Sequence, residues 1–179
     1  MIRRLAPFMV PVTTVFVLIG ISATASDMRA SDARASTSIA RALAQLPCYG
    51  VFDHLTFTVN YGTVTLDGDA FDASLATNAM AAVVGVPGVA RVVNKVQPLP
   101  RSTQDEWIRL AVFHRVYEED FLSRYAPGGH YSIHIVVRNG HVVLAGIVDS
   151  DDDKEEAVLR ARAVIGTFAV DNELTVSHP

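Results

Sequence analysis

Residues 59–68 read VNYGTVTLDG, and residues 137–146 read VRNGHVVLAG, 78 positions further along the chain. Downstream, the same offset continues without a gap through three more matching pairs: Ala79 and Ala157, Gly88 and Gly166, Asn94 and Asn172. Self-similarity at a fixed offset is the signature of a repeated structural unit. The chain is therefore predicted to contain two copies of one small fold.

Each copy is predicted to have the element order helix, strand, strand, helix, strand. In unit one, residues 36–99, apolar residues at helical spacing mark the first helix, and strict alternation marks the first strand. The expected elements are a helix through Ile39, Leu43 and Leu46, strands at 55–59 and 64–66, a helix at 72–84 and a strand at 90–96.

Unit two, residues 102–179, repeats this order around Asn139-Gly140. Asn-Gly is a strong hairpin signal, because both central residues of a type I′ turn need a positive φ. A loop at 125–129 accounts for most of the extra length of this unit. The expected elements are a helix at 104–122, strands at 133–137 and 142–144, a helix at 152–164 and a strand at 169–176.

The second helix of each unit must carry the chain from strand two across to strand three. Such a crossover makes a mixed sheet, with one antiparallel hairpin and one parallel pair of strands. Both helices should pack on one face of a three-stranded sheet. The predicted fold class is α+β, in two tandem domains, and one face of each sheet is left without helices.

The N-terminal segment has the features of an export signal. Arg3 and Arg4 precede an apolar run over 5–21, and Ala23-Thr24-Ala25 offers the small-residue pattern of a signal peptidase site. Residues 1–25 are therefore predicted to be a signal peptide, cleaved after Ala25, and the protein is predicted to be periplasmic. Retention of the segment as a membrane anchor is the alternative.

Composition limits the classes of partner. The formal net charge of −4 disfavours nucleic acid, because phosphate binding needs a concentrated basic surface. Cys48 is the single cysteine, so no intrachain disulfide can form, and it is expected to be a small buried apolar residue.

Residues 26–35 are small, polar and charged, and they are predicted to form a flexible leader.

The repeated pattern resembles the BON domain, a bacterial module named after an osmotically inducible periplasmic protein and nodulation proteins. The matching residues of unit two are Asn139, Gly140, Val142, Leu144, Gly146, Asp149, Lys154, Ala157, Val164, Ile165, Gly166, Thr167, Phe168, Val170, Asn172, Leu174 and Val176. Those of unit one are Gly62, Val64, Leu66, Gly68, Val86, Pro87, Gly88, Val89, Val92, Asn94 and Val96. The resemblance implies a non-catalytic exported module that associates with phospholipid membranes or other envelope components.

Seven residues of this pattern have a local structural reason, because a positive φ or a tight reversal favours glycine or asparagine. They are predicted to be structural turn residues and not ligands: Gly62, Gly68, Gly88, Asn139, Gly140, Gly146 and Gly166.

No set of residues predicts catalysis, a metal or a cofactor. His134 and His141 fall on one side of the second hairpin, but Arg138 lies between them and no carboxylate or thiol completes a zinc site. The acidic run at 149–156 lacks the glycine and glutamate of a calcium-binding loop, and Ser150 or Asp151 suits the N-cap of a helix. Because no nucleophile elbow, phosphate loop or catalytic acid pair is present, the protein is predicted not to be an enzyme.

The helix-free sheet faces differ between the units. Thr58 is expected opposite Thr65 in unit one, whereas Val136 is expected opposite Val143 in unit two, where an exposed apolar pair would mark a contact surface. The valines could equally pack against unit one or a second copy. Trp107 is the other candidate contact residue, since tryptophan favours membrane interfaces, although it could also cover the core.

Two functions are compatible with these features. The first is a non-enzymatic envelope protein that binds phospholipid membrane surfaces or envelope components, in osmotic or envelope stress. The alternative is a protein-interaction or chaperone-like periplasmic scaffold that does not bind lipid. The sequence leaves open the identity of the ligand, the physiological trigger and the oligomeric state.

Overall fold

The structure is a computed structural model, and it describes residues 25–118 and 122–177. The predicted signal peptide lies outside the described residues, except for Ala25. Within the described ranges, none of the helices combines the length and hydropathy that a membrane-spanning helix requires.

Unit one contains two helices and a sheet of three main strands. Its elements are α1 (Ala25–Ala44), β1 (His54–Asn60), β2 (Thr63–Ala70), α2 (Ala73–Val84), β3 (Arg91–Asn94) and the two-residue strand β4 (Gln97–Pro98). Asp72 caps α2 by accepting a hydrogen bond from the Ser74 N–H at 2.8 Å, which satisfies one free donor of the first turn.

Unit two repeats this arrangement with α3 (Thr103–Tyr117), β5 (Ile133–Arg138), β6 (His141–Val148), α4 (Asp151–Arg162) and β7 (Ala169–Val176). Two 3₁₀ turns, Ser123–Tyr125 and Pro127–Gly129, form the extra loop between α3 and β5. The first helix of this unit therefore ends earlier than residue 122, the limit that the sequence predicts.

The topology of both sheets is the predicted one. The strand orders are β1-β2-β3 and β5-β6-β7, with an antiparallel hairpin and a parallel third strand in each, and the sheets are separate. The hairpin turns have positive φ at both central residues, 49° and 72° at Tyr61-Gly62 and 53° and 76° at Asn139-Gly140. Tyr61 thus adopts the left-handed conformation that Asn139 adopts in the second turn.

Each unit has its own hydrophobic core between its sheet and its helices. The core of unit one includes Ile39, Leu43, Val64, Leu66, Ala79 and Val83. The core of unit two includes Ile108, Val112, Ile133, Ile135, Val137, Leu144 and Leu174. The fold class and the duplication predicted from the sequence are therefore both present in the structure.

The predicted flexible leader is instead the first half of α1. Asp32 accepts hydrogen bonds from the backbone N–H groups of Tyr61 and Gly62, at 2.8 and 2.9 Å, and Ala35 is buried. Residues 26–35 are therefore helical, and Asp32 and Ala35 attach this mostly exposed segment to the first unit.

Three smaller expectations also differ from the structure. Cys48 is exposed and has a φ of 68°, so it is not a core residue. Gly68 and Gly146 lie inside β2 and β6, not in turns. The short β4 pairs with the end of β2 beyond β3, which adds a fourth strand to the sheet of unit one.

Candidate functional site

The valine pair of unit two does not form an exposed patch. Val136 is opposite Val143 as expected, but Val136 is 3% exposed and Val143 is half-buried. Two neighbours on the same face of β5 contact unit one: Arg138 forms an ion pair with Asp69, and His134 lies 3.1 Å from the Gly50 carbonyl. Of the alternatives that the sequence left open, packing of this face against unit one is the one found.

A segment of unit one also completes the core of unit two. The Ile135 N–H, which lies on the outer edge of β5, donates a hydrogen bond of 2.7 Å to the Val51 carbonyl. The Val51 side chain is buried in the core of unit two. The segment before β1 therefore covers the edge strand of its neighbour, an arrangement that protects strands from unwanted pairing.

Arg109 joins the two units at a buried position. Its guanidinium donates a 3.2 Å hydrogen bond to the Val137 carbonyl and lies 5.0 Å from the centre of the Phe71 ring. Burial lowers the pKa of Arg109, while the nearby carboxylates, including Asp53, oppose this shift. The side chain is a structural cation that links α3 to unit one, since it contacts a ring of unit one and a strand of unit two.

Asp53 organises the unit-one side of the contact between the two units, called the joint below. It is buried and accepts hydrogen bonds from the Gly50 N–H at 2.8 Å and the Phe71 N–H at 2.6 Å. Burial raises the pKa of Asp53, although the two amide hydrogen bonds favour its charged form. The carboxylate therefore fixes the loop that carries Val51 into unit two.

Two histidines, His54 and His134, lie where the two units meet. The His54 and His134 rings are 6.2 Å apart, and among the described residues no group of three His, Cys, Asp or Glu side chains is placed to hold a metal ion. Burial lowers the pKa of His54, with Glu173 and Asp69 opposing, and burial also lowers the pKa of His134. His141 is exposed at the second hairpin.

We expect acidification to weaken the contact between the units. Because the pKa values of His54 and His134 are lowered in the folded protein, their neutral forms stabilise it above the free value of about 6.5. That stabilisation is lost as the pH falls from about 7 towards 5.5. Urea unfolding at several pH values measures the effect.

The substitution His134→Gln should flatten this pH dependence, and His141→Gln is the matched control because His141 lies outside the joint. A wild-type stability that is constant over this pH range would contradict the expectation.

In each unit an aspartate of the first helix binds the hairpin turn. This shared contact allows α1 and α3 to be aligned residue by residue. Asp105 accepts hydrogen bonds from the Asn139 and Gly140 N–H groups, at 2.9 and 2.8 Å, as Asp32 does from the first hairpin turn. A Cβ atom added to Gly166 would lie 3.5 Å from Ile108, and one added to Gly88 would lie 3.6 Å from Ala35. Asp105 thus corresponds to Asp32, and Ile108 to Ala35.

This alignment shows where the surfaces of the two units differ. Trp107, which is 53% exposed, corresponds to the exposed Arg34, and Leu110, which is 47% exposed, corresponds to the exposed Thr37. The outer face of α3 therefore carries two large apolar side chains at positions where α1 carries polar ones. Trp107 lies at the surface and is not the lid over the core that the sequence also allowed.

The loop after α4 carries a second apolar difference. Ile165 and Phe168 are large and exposed, and their counterparts at the constant offset are Pro87 and Ala90. Sequence analysis did not select these residues, or Leu110, as contact residues. The available signal was the replacement of proline and alanine by bulky apolar residues at equivalent loop positions.

The acidic run at the start of α4 has a structural role. Of the two residues predicted as the N-cap, Ser150 takes this position. Its hydroxyl accepts a hydrogen bond from the Asp153 N–H at 3.2 Å. Although burial acts to raise it, the pKa of Asp153 is lowered by hydrogen bonds from Ser150, Tyr125 and Arg124. Asp153 therefore pins the extra loop of unit two to α4.

Comparison with solved structures finds similar chains at low identity. Two chains of CdsD, a structural protein of the type III secretion system of Chlamydia trachomatis, are both 14% identical to this chain. One, its C-terminal domain, has a TM-score of 0.33 and covers 79% of this chain and 96% of its own length. The other has a TM-score of 0.31 and covers 81% of this chain and 94% of its own length. No curated protein matches the chain.

The family comparison agrees with the duplication seen in the sequence and in the two sheets. The BON domain matches the chain twice, over residues 31–98 and over residues 104–178. The first match includes the helical segment that carries Asp32, and the second begins with α3. BON domains are associated with phospholipid membranes and with proteins of the cell envelope. The chain belongs to the BON domain family and contains two BON domains in tandem.

Proposed function

We propose that the protein is a non-enzymatic, exported envelope protein whose second BON domain docks on the surface of a phospholipid membrane. The observation that carries the proposal is the exposed apolar face of α3, where Trp107 and Leu110 replace Arg34 and Thr37 of the first domain. Export by the N-terminal segment 1–25, periplasmic location and a role in osmotic or envelope stress belong to the same proposal.

The physical chemistry of this face suits a membrane interface. Tryptophan has a large apolar ring and a single N–H donor, so it is favoured where one end of a side chain meets lipid and the other meets water. Leu110 lies one helical turn from Trp107 on the same face, which extends the apolar stripe. The inner side of α3 stays packed in the domain core through Ile108, Val112 and Val116, so the folded domain presents Trp107 and Leu110 to the interface.

Vesicle binding tests the proposal. Residues 26–179, which contain both cores, should sediment with phosphatidylcholine vesicles and with vesicles that also contain phosphatidylglycerol. Trp107→Arg installs the residue found in the first domain and should weaken binding roughly tenfold, the effect of losing about 1.4 kcal/mol of contact free energy.

Leu159→Ala provides the matched control, because Leu159 is an exposed apolar residue of α4 among Asp152, Glu155 and Glu156. Its removal should leave vesicle binding unchanged. Failure of the unmodified protein to sediment with either vesicle type would exclude membrane docking.

A protein-interaction scaffold that does not bind lipid is the second candidate function. It is favoured by the contact between the domains, where β5 accepts an extended segment whose Val51 side chain enters the core. Recognition of extended segments at a strand edge is a common mode of protein–peptide binding. The vesicle experiment separates the candidates, since a scaffold of this kind has no affinity for either vesicle type.

A further inference from the structure

A cavity of about 330 Å³ lies where the linker between the two domains meets the start of α3. Its wall is formed by the turn before α2, by the linker at 99–102 and by the first two turns of α3. The lining includes Phe71, Asp72, Arg101, Thr103, Glu106 and Arg109. Its volume falls in the range of small-molecule sites, roughly 300–1,000 Å³.

The lining carries charges of both signs. Arg101, Asp72 and Glu106 are exposed, whereas Arg109 is only 3% exposed. A simple anion would be repelled by the two carboxylates, and a simple cation would be repelled by the two guanidinium groups. A ligand that carries both charges can place each of them beside its opposite. The lining therefore favours a zwitterion.

Arg109 gives this cavity a buried cation with an unused hydrogen-bond donor. Its guanidinium donates to the Val137 carbonyl at 3.2 Å, but among the described residues its Nε–H has no hydrogen-bond partner. Two of the carboxylates that act on its charge, those of Asp53 and Asp105, are each held by two backbone N–H groups. An anionic group in the cavity would therefore stabilise Arg109.

The N-terminus of α3 supplies the seat for this anionic group. Ser102 caps the helix, and its hydroxyl accepts a hydrogen bond from the Asp105 N–H at 3.2 Å. The N–H groups of Thr103 and Gln104, at the first two helical positions, have no partner within the helix. Helix N-termini with such N–H groups bind phosphate, and Arg101 adds a positive charge to the same wall.

The two carboxylates of the lining suit a primary ammonium group. Such a group has three N–H donors and can bind both Asp72 and Glu106, whereas the trimethylammonium group of choline has no donor. The ring of Phe71, which is 50% exposed, supplies an apolar wall for the methylene groups of the ligand. An ethanolamine group therefore fits the lining better than a choline group.

The cavity borders the face that is proposed to dock on the membrane. Thr103 lies one helical turn before Trp107, and Glu106 lies one turn before Leu110, so these four side chains share one side of α3. A bilayer that contacts Trp107 and Leu110 therefore presents its headgroups to the cavity.

We propose that the cavity binds the phosphoethanolamine headgroup of a phospholipid. The phosphate lies at the N-terminus of α3, beside Arg101 and Arg109, and the ammonium group contacts Asp72 and Glu106. The inference rests on the proposed membrane docking and names the class of lipid that the docked protein selects. A soluble phosphoethanolamine ester has the same chemistry, so the experiment has to separate the two sources.

Calorimetric titration of residues 26–179 with glycerophosphoethanolamine tests the cavity without a membrane. We expect saturable binding, whereas glycerol phosphate and ethanolamine, which each carry one of the two charges, should bind roughly tenfold more weakly. Arg101→Gln and Glu106→Gln should each weaken binding of the ester roughly three- to fivefold, the range for a single exposed ion pair. Because both residues are exposed, the melting temperature should not change.

Arg91→Gln and Glu155→Gln are the matched controls for these variants. Both residues are exposed and lie outside the cavity, so the same changes of charge should leave binding of the ester unaltered.

Vesicles distinguish the lipid from the soluble ester. The unmodified protein should sediment more strongly with vesicles of phosphatidylethanolamine and phosphatidylcholine than with phosphatidylcholine alone. This preference should be lost when Arg101→Gln and Glu106→Gln are combined. Binding of the ester without a preference for phosphatidylethanolamine vesicles would overturn the lipid source.

The inference is overturned if glycerophosphoethanolamine does not bind, or binds no better than glycerol phosphate. It is also overturned if Arg101→Gln and Glu106→Gln bind the ester as tightly as the unmodified protein does. These results leave membrane docking intact, because the vesicle experiment with Trp107→Arg measures it separately. Absence of sedimentation with every vesicle type excludes the proposed function and, with it, the lipid source.

Discussion

Replacing Gly146 with alanine is expected to destabilise the second BON domain strongly. Gly146 has a φ of 125°, in a region that is accessible essentially to glycine alone, and an added Cβ atom would lie 2.0 Å from the Ser132 carbonyl oxygen. That oxygen lies immediately before β5 and accepts a 3.0 Å hydrogen bond from the Ile147 N–H, so it cannot move without disturbing the hairpin. Strain and overlap together should cost about 3–5 kcal/mol, a large part of the stability of a small domain.

Urea unfolding followed by circular dichroism measures this cost. Gly85→Ala is the matched control, because Gly85 has a φ of −80° and no atom lies within 4 Å of its added Cβ. That variant should be within about 1 kcal/mol of the unmodified protein or slightly more stable, since alanine restricts the unfolded chain. Similar stabilities of the two variants would show that the β6 geometry described here is wrong.

The substitution Val51→Asp should separate the two domains without destroying either core. The Val51 side chain lies in the core of the second domain, although it precedes the first strand of the first domain. An unpaired carboxylate at this position would cost about 3–5 kcal/mol if it stayed buried, so the segment should leave the β5 edge. The variant is expected to unfold in two thermal transitions and to be cleaved by proteases near residue 51.

Val84→Asp is the control for this experiment, since Val84 is an exposed valine at the end of α2. It introduces the same charge on the same domain and should behave like the unmodified protein. Identical calorimetric traces for the two variants would mean that Val51 does not hold the domains together.

The sequence predicted those features of the fold that depend on local geometry. Alternation of apolar residues and the Asn139-Gly140 turn determine which residues form the hairpins, and the crossover helices then require a parallel third strand. Because the two units are repeats, the same elements could be predicted for both domains. The fold class and the order of the main strands followed from these patterns.

Features that depend on distant contacts were not predicted. Asp32 makes the first half of α1 part of the domain by binding amides 29 and 30 residues away, and nothing in its local sequence indicates that contact. Cys48 is exposed in the loop between α1 and β1, which Asp53 and Val51 fix a few residues later through contacts with Gly50 and with β5. In both cases tertiary contacts overrode what composition suggested.

The candidate contact surface shows the same limit. Register correctly paired Val136 with Val143, but it did not show that the first domain covers this face. Trp107 could be selected from its chemistry alone. Leu110, in contrast, needed the alignment of α3 with α1, which rests on the equivalent hydrogen bonds of Asp105 and Asp32. Because the domain is duplicated, α1 of the same chain serves as the polar helix with which α3 is compared.

Hydrogen–deuterium exchange with and without phospholipid vesicles tests most directly that the second domain is the docking surface. The account predicts slower exchange on vesicle binding at residues 103–110, and no change at the equivalent residues 30–37 of the first domain. Equal slowing in both domains, or slowing confined to the first, would contradict it.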